Sequence, residues 1–223
     1  MEQPPKLIAL GDSVTAGCSF SQVTTETCYV HRVSQRLLAS GLQVEVTASA
    51  LEGIDTGYAV KRFNRLVTLL EPDLVTIMLG LNDALPPGNR PAISPDEYHR
   101  NLLGLIDRIL SLDARPILLT PNPRPAAAGC STNLMQPYAA AARAAADHFQ
   151  LGYVDVYSLF ISHGDISQLV PDGTHPSPVG HQIIADHLSA HLCQLFQTQP
   201  PTPWTATPTA EVVSAESGQA PQA

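Results

Sequence analysis

The chain has 223 residues, 44% of them hydrophobic, with twelve Lys+Arg against twenty Asp+Glu for a formal charge of −8. That length fits one ordinary domain, the apolar content excludes wholesale disorder, and the negative balance disfavours phosphate backbones and anionic lipid as partners. No uncharged apolar run approaches the roughly 20 residues that cross a bilayer, and Met1–Lys6 lacks the pattern of a secretory leader. A soluble cytoplasmic protein without nucleic-acid or membrane partners is expected.

In chain order, Leu7–Leu10 reads as a buried strand and Tyr29–Ser40 as a helix. Val44–Leu51 then predicts a strand and Thr56–Leu70 a helix. Leu74–Leu79 is the third strand, followed by a helix over Pro95–Leu112. The start of that helix is marked by Ser94-Pro95-Asp96-Glu97, a capping serine with Pro at the first helical position and Glu three residues after the cap. Ile117–Thr120 and Tyr153–Val156 complete the strands, with helices over Thr132–Phe149 and Ser177–Gln197. This alternation predicts an α/β fold, a five-stranded parallel sheet inside a three-layer α/β/α sandwich of flavodoxin-like type. The domain is expected to end at residue 197. Residues 198–223, rich in Pro, Thr and Ala, cannot bury enough apolar surface to offset their ordering entropy and read as a disordered tail. Trp204 is then a stray aromatic or, alternatively, a short docking motif. Cys18, Cys28, Cys130 and Cys193 form no C-x-x-C pair and read as free thiols, with a Cys18–Cys28 pairing left open.

Open parallel sheets bind ligands beyond the carboxyl ends of their strands, so reactive residues should follow the apolar runs. They do. Gly11-Asp12-Ser13 follows the first, Glu52-Gly53-Ile54-Asp55 the second and Gly80-Leu81-Asn82-Asp83 the third, while Asp172-Gly173-Thr174-His175-Pro176 comes after the fifth. Each has a role in acyl transfer. Ser13 is a nucleophile once a base takes its proton, His175 is that base, and Asp172 holds its tautomer. The backbone N–H groups of Ser13 and Gly53 and the Asn82 amide would receive an oxyanion, with Gly57 a rival to Gly53. Pro176 keeps His175 extended and aims its ring at the cleft. Asp12 and Asp83 are assigned to local turn structure. Arg124, after the fourth strand, is a candidate substrate contact or a solvated loop charge.

These four blocks resemble the SGNH family of GDSL-type hydrolases over roughly residues 1–197, although Val14 stands where the name-giving motif has Leu. The resemblance implies hydrolysis of a small-molecule carboxylic ester, short acyl or acetyl esters favoured, with no cofactor and no metal. An acyl thioesterase or acyltransferase would use the same site. The same loops could instead serve a non-catalytic module that holds a small anion at a helix N-terminus. His187 and His191 on the last helix have the spacing of a metal pair but share a helix whose apolar stripe points to packing. The Ala139–Ala146 run reads as a close-packing helix face. There is no G-x-S-x-G elbow, phosphate-binding loop or dinucleotide fingerprint.

Overall fold

Strands β1 (Lys6–Gly11), β2 (Glu45–Ala50), β3 (Leu74–Met78), β4 (Arg115–Leu119) and β5 (Tyr153–Val154) pair in parallel in the order β2-β1-β3-β4-β5. The structure is a computed structural model that describes residues 3–17, 20–124 and 132–198. A parallel sheet covered on both faces needs near-continuous apolar strands, and every residue of β3 is buried.

The principal helices are α2 (Tyr29–Ala39), α3 (Thr56–Leu66), α5 (Pro95–Leu110), α6 (Gln136–His148) and α9 (Pro178–Thr198). One layer pairs α2 with α9, and the other packs α5 between α3 and α6. The alanine run supplies the inner face of α6, where Ala139, Ala142, Ala145 and Ala146 are buried. Short helices α1 (Ser13–Ala16) and α4 (Leu81–Ala84) follow β1 and β3 directly.

Several boundaries differ from the predicted ones. The fifth strand stops at Val154 because the Asp155 side chain accepts the Ser158 N–H and starts α7 (Val156–His163). Asp165 caps α8 (Ile166–Leu169) in the same way. The third helix ends at Leu66, and Thr68–Leu70 forms a separate 3₁₀ turn. The last helix continues through Thr198, one residue into the segment read as tail. The remainder of that segment, with Trp204, lies outside the described residues, as does Cys18. Cys28 and Cys193 are free thiols. No helix among the described residues is long and apolar enough to cross a membrane.

Register positions the site. Gly11 of β1 lies level with Ala50 of β2 and Met78 of β3, so the segments after these strands emerge side by side. Strand β1 sits where the strand order reverses, the place where such sheets open a crevice.

Candidate active site

The turn from β1 into α1 is tight. A Cβ on Gly11 would lie 2.0 Å from Thr15 Oγ1 and 2.9 Å from the Met78 carbonyl, so only glycine fits. Asp12 caps α1 by accepting the Val14 N–H at 3.0 Å. Ser13 is thus the first residue of α1, where backbone N–H groups lack intrahelical acceptors, and it is 8% exposed. Burial pushes the Asp12 carboxyl up to about 7, with Asp83 adding to the rise and the Val14 N–H opposing it.

The second and third segments are tied together beneath the cleft. Gly53 holds φ +72, a left-handed conformation that favours glycine. Asn82, in α4, donates from Nδ2 to the Ile54 carbonyl at 3.0 Å and reaches Asp12 Oδ2 at 3.4 Å. Asp83 is fully buried and accepts the Thr56 N–H at 3.2 Å together with the Thr56 hydroxyl. Its main partner therefore lies 27 residues away, on α3. Burial lifts the Asp83 carboxyl to about 6 against those bonds. From above, Arg90 donates to the Gly53 carbonyl at 2.8 Å and pairs with Asp55 at 3.0 Å.

The fourth segment is a self-folded turn. Asp172 Oδ1 accepts the N–H groups of Thr174 and His175 at 2.8 and 2.7 Å, while Oδ2 meets His175 Nδ1 at 2.7 Å. Partial burial pushes the Asp172 pKa upward, yet the His175 N–H and ring and the Thr174 N–H hold it below the usual carboxylate range. The other ring nitrogen, Nε2, stands 3.1 Å from Ser13 Oγ. Hydroxyl, imidazole and carboxylate thus form one continuous chain across 162 residues of sequence.

Ser13, Gly53, Asn82, Arg124 and His175 line one cleft of about 420 Å³, together with Phe20, Leu81, Leu85 and Pro87. Gly57 lies within α3 and does not line it. Cys130 lies outside the described residues. His187 and His191 line a separate hollow beside β5, and among the described residues no trio of His, Cys, Asp or Glu is placed to share a metal ion. His181 is buried. Its Nδ1 accepts the Tyr29 N–H at 3.1 Å, and burial, with Arg32 nearby, pushes it down to about 3.

Sequence reasoning passed over three contributors. Phe20 stacks on the His175 ring, Arg90 bridges to Gly53, and buried Asn122 donates to the Thr174 carbonyl at 3.1 Å. An asparagine just after the fourth apolar run was the available signal for Asn122. The other two make long-range contacts that no local pattern announces.

Comparison with known proteins places the chain among esterases and acylhydrolases. An isoamyl acetate-hydrolyzing esterase 1 homolog from Homo sapiens is 28% identical over 205 residues, spanning 82% of this chain and 79% of its own. An arylesterase from Vibrio mimicus is 27% identical, with 84% and 88% covered. Among solved structures, a catalytic mutant of an acetylxylan esterase from Geobacillus stearothermophilus matches with a TM-score of 0.70 at 26% identity, covering 84% of this chain and 94% of that one. A lipase/acylhydrolase from Enterococcus faecalis shares the fold, with a TM-score of 0.74 at 24% identity over 84% and 95% of the two chains. Residues 9–183 match the GDSL-like Lipase/Acylhydrolase family, and the chain belongs to that family of ester hydrolases.

Proposed function

We propose that the protein cleaves short-chain carboxylic esters, acetyl esters above all, through an acyl-serine intermediate on Ser13. The observation that carries this reading is the Ser13 Oγ to His175 Nε2 contact at 3.1 Å, continued to Asp172 at 2.7 Å. As Ser13 Oγ bonds to the acyl carbon, its proton passes to His175 Nε2 and the carbonyl electron pair moves onto oxygen. Asp172 fixes the tautomer that leaves Nε2 free to accept. The oxyanion is received by the N–H groups of Ser13 and Gly53 and by Asn82 Nδ2. One Asn82 hydrogen is committed to Ile54, whereas the 3.4 Å contact to Asp12 holds the other loosely enough for a developing negative oxygen to take it. When the tetrahedral species collapses, His175 protonates the leaving alkoxide, and water then repeats the cycle on the acyl-serine.

Short acyl groups are favoured by the cleft's modest volume and by Leu81, Leu85 and Pro87 on its walls. Relatives named for isoamyl acetate and acetylxylan support the acetyl preference. Arg124, which lines the cleft, is assigned to the alcohol side of the substrate. Free thiols at Cys28 and Cys193 support a cytoplasmic setting.

The test is a fluorophosphonate probe with a panel of p-nitrophenyl esters of rising acyl length, alongside acetylated sugars and acyl-coenzyme A. Stoichiometric labelling of Ser13 and a rate that falls with acyl length are expected. Absence of labelling under native conditions would overturn the reading, and faster turnover of the acyl-coenzyme A would replace esterase with thioesterase.

A further inference from the structure

Phe20 lies flat on His175, with ring centroids 4.0 Å apart and planes 8° from parallel. The next residue grips the same histidine from its backbone, Ser21 Oγ donating to the His175 carbonyl at 3.0 Å. Ser21 and Gln22 hold φ values of 52 and 63, a conformation that non-glycine residues adopt rarely and that persists where the surroundings impose it. Phe20 remains 39% exposed, so burial of its own surface does not account for its position. These observations converge on one target, the imidazole.

We propose that Phe20 stabilises the imidazolium that His175 becomes during acyl transfer, acting through the face of the ring as a positioning and electrostatic residue. The proposal rests on the reading of His175 as the base. An aromatic face is negative and attracts a cation much more than a neutral ring. His175 is neutral before Ser13 gives up its proton and charged while the tetrahedral species exists, so the contact strengthens on the way to the transition state. That is the condition for raising kcat and not merely tightening substrate binding. The geometry keeps the contact clear of the proton path. Both ring nitrogens point edgewise, Nδ1 to Asp172 and Nε2 to Ser13, while Phe20 covers a face.

The other charged or titratable groups around His175 come from separate elements. Asp172 lies on its own turn, Ser13 begins α1, Glu52 and Arg124 line the cleft, and His181 of α9 stays neutral by burial. None of them occupies the ring face that Phe20 covers.

Two substitutions separate electrostatics from cover. Phe20→Leu keeps an apolar side chain but removes the π-face, and Phe20→Trp restores it. With p-nitrophenyl acetate, Phe20→Leu is expected to lower kcat about two- to fivefold, the size of a partly exposed cation–π contact, with KM little changed. It is also expected to move the acid limb of the kcat/KM profile about half a pH unit lower, because the charged ring has lost support. Phe20→Trp should return both values to those of the parent. A purely shielding role predicts the opposite sign, since wetting the ring would ease its charging and move the limb higher. That result, or no change in Phe20→Leu, overturns the proposal. His175→Ala serves as the separate control: if it retains full activity the base assignment itself falls, whereas failure confined to the Phe20 variants removes this inference alone.

Discussion

The two sides of the cleft are built differently. On the Ser13 side, Asp12 and Asp83 are 2% and 0% exposed, and their bonds join α1, α3 and α4 beneath the cleft. On the His175 side, the Asp172 side chain is 35% exposed and the 172–175 turn is folded chiefly by its own carboxylate, steadied from outside by Asn122 and Ser21. Half of the site is therefore part of the core, and half is a surface turn fastened to it. Substitutions on the first side should disturb folding as well as rate. Those on the second should change rate far more than stability.

The largest expected effect tests the second half of that contrast. His175→Ala should lower kcat by about 10⁴–10⁶-fold while the melting temperature stays put. Esterase kinetics and calorimetry on the same sample decide it, and a drop of many degrees would break the distinction. Asp172→Asn should reduce kcat by about 10³–10⁴-fold through the wrong imidazole tautomer, read in the same assay. Asn82→Ala stands between the two sides. Its kcat should fall about 10²–10³-fold, and stability by about 1 kcal/mol as the Ile54 carbonyl loses its donor.

Asp83→Ala belongs wholly to the buried side. Leaving the Thr56 N–H and hydroxyl without their acceptor should remove about 1–3 kcal/mol in denaturant titrations, with a comparatively small change in kcat. The last effect is a slope. The folded Asp12 carboxyl, raised to about 7, keeps its proton where the unfolded chain has already lost it, so stability should decline as pH rises from the ordinary carboxylate range toward 7. Asp12→Asn should flatten that decline in melting curves taken across the interval. An unchanged slope would return the titration to Asp83 or to another group.

The sheet was legible because buried parallel strands are short apolar runs and each was followed by a reactive motif. Legibility failed at Val156, which continues an apolar run yet begins a helix. The deciding group is Asp155, whose cap and whose pairing with Arg143 at 2.8 Å lie outside any strand pattern. That Ser13, Asn82, Asp172 and His175 would meet at one cleft could be read because the proposed acyl transfer limits which residue types serve. Asp83 was assigned to its own turn because nothing local reveals that Thr56 is its partner. Phe20 and Arg90 were missed for the same reason. Their contacts join separate loops, and such distances are set by the assembled sandwich.

The buried histidine on α9 has a practical consequence. Because Nδ1 of His181 is occupied by the first N–H of α2, its remaining proton sits on Nε2 and the ring stays silent through the range where ordinary histidines titrate. Prising α2 from α9 would free that nitrogen and make the signal respond to acid. His181 is therefore an intrinsic spectroscopic reporter, in imidazole NMR, of whether the seam between these two helices is closed.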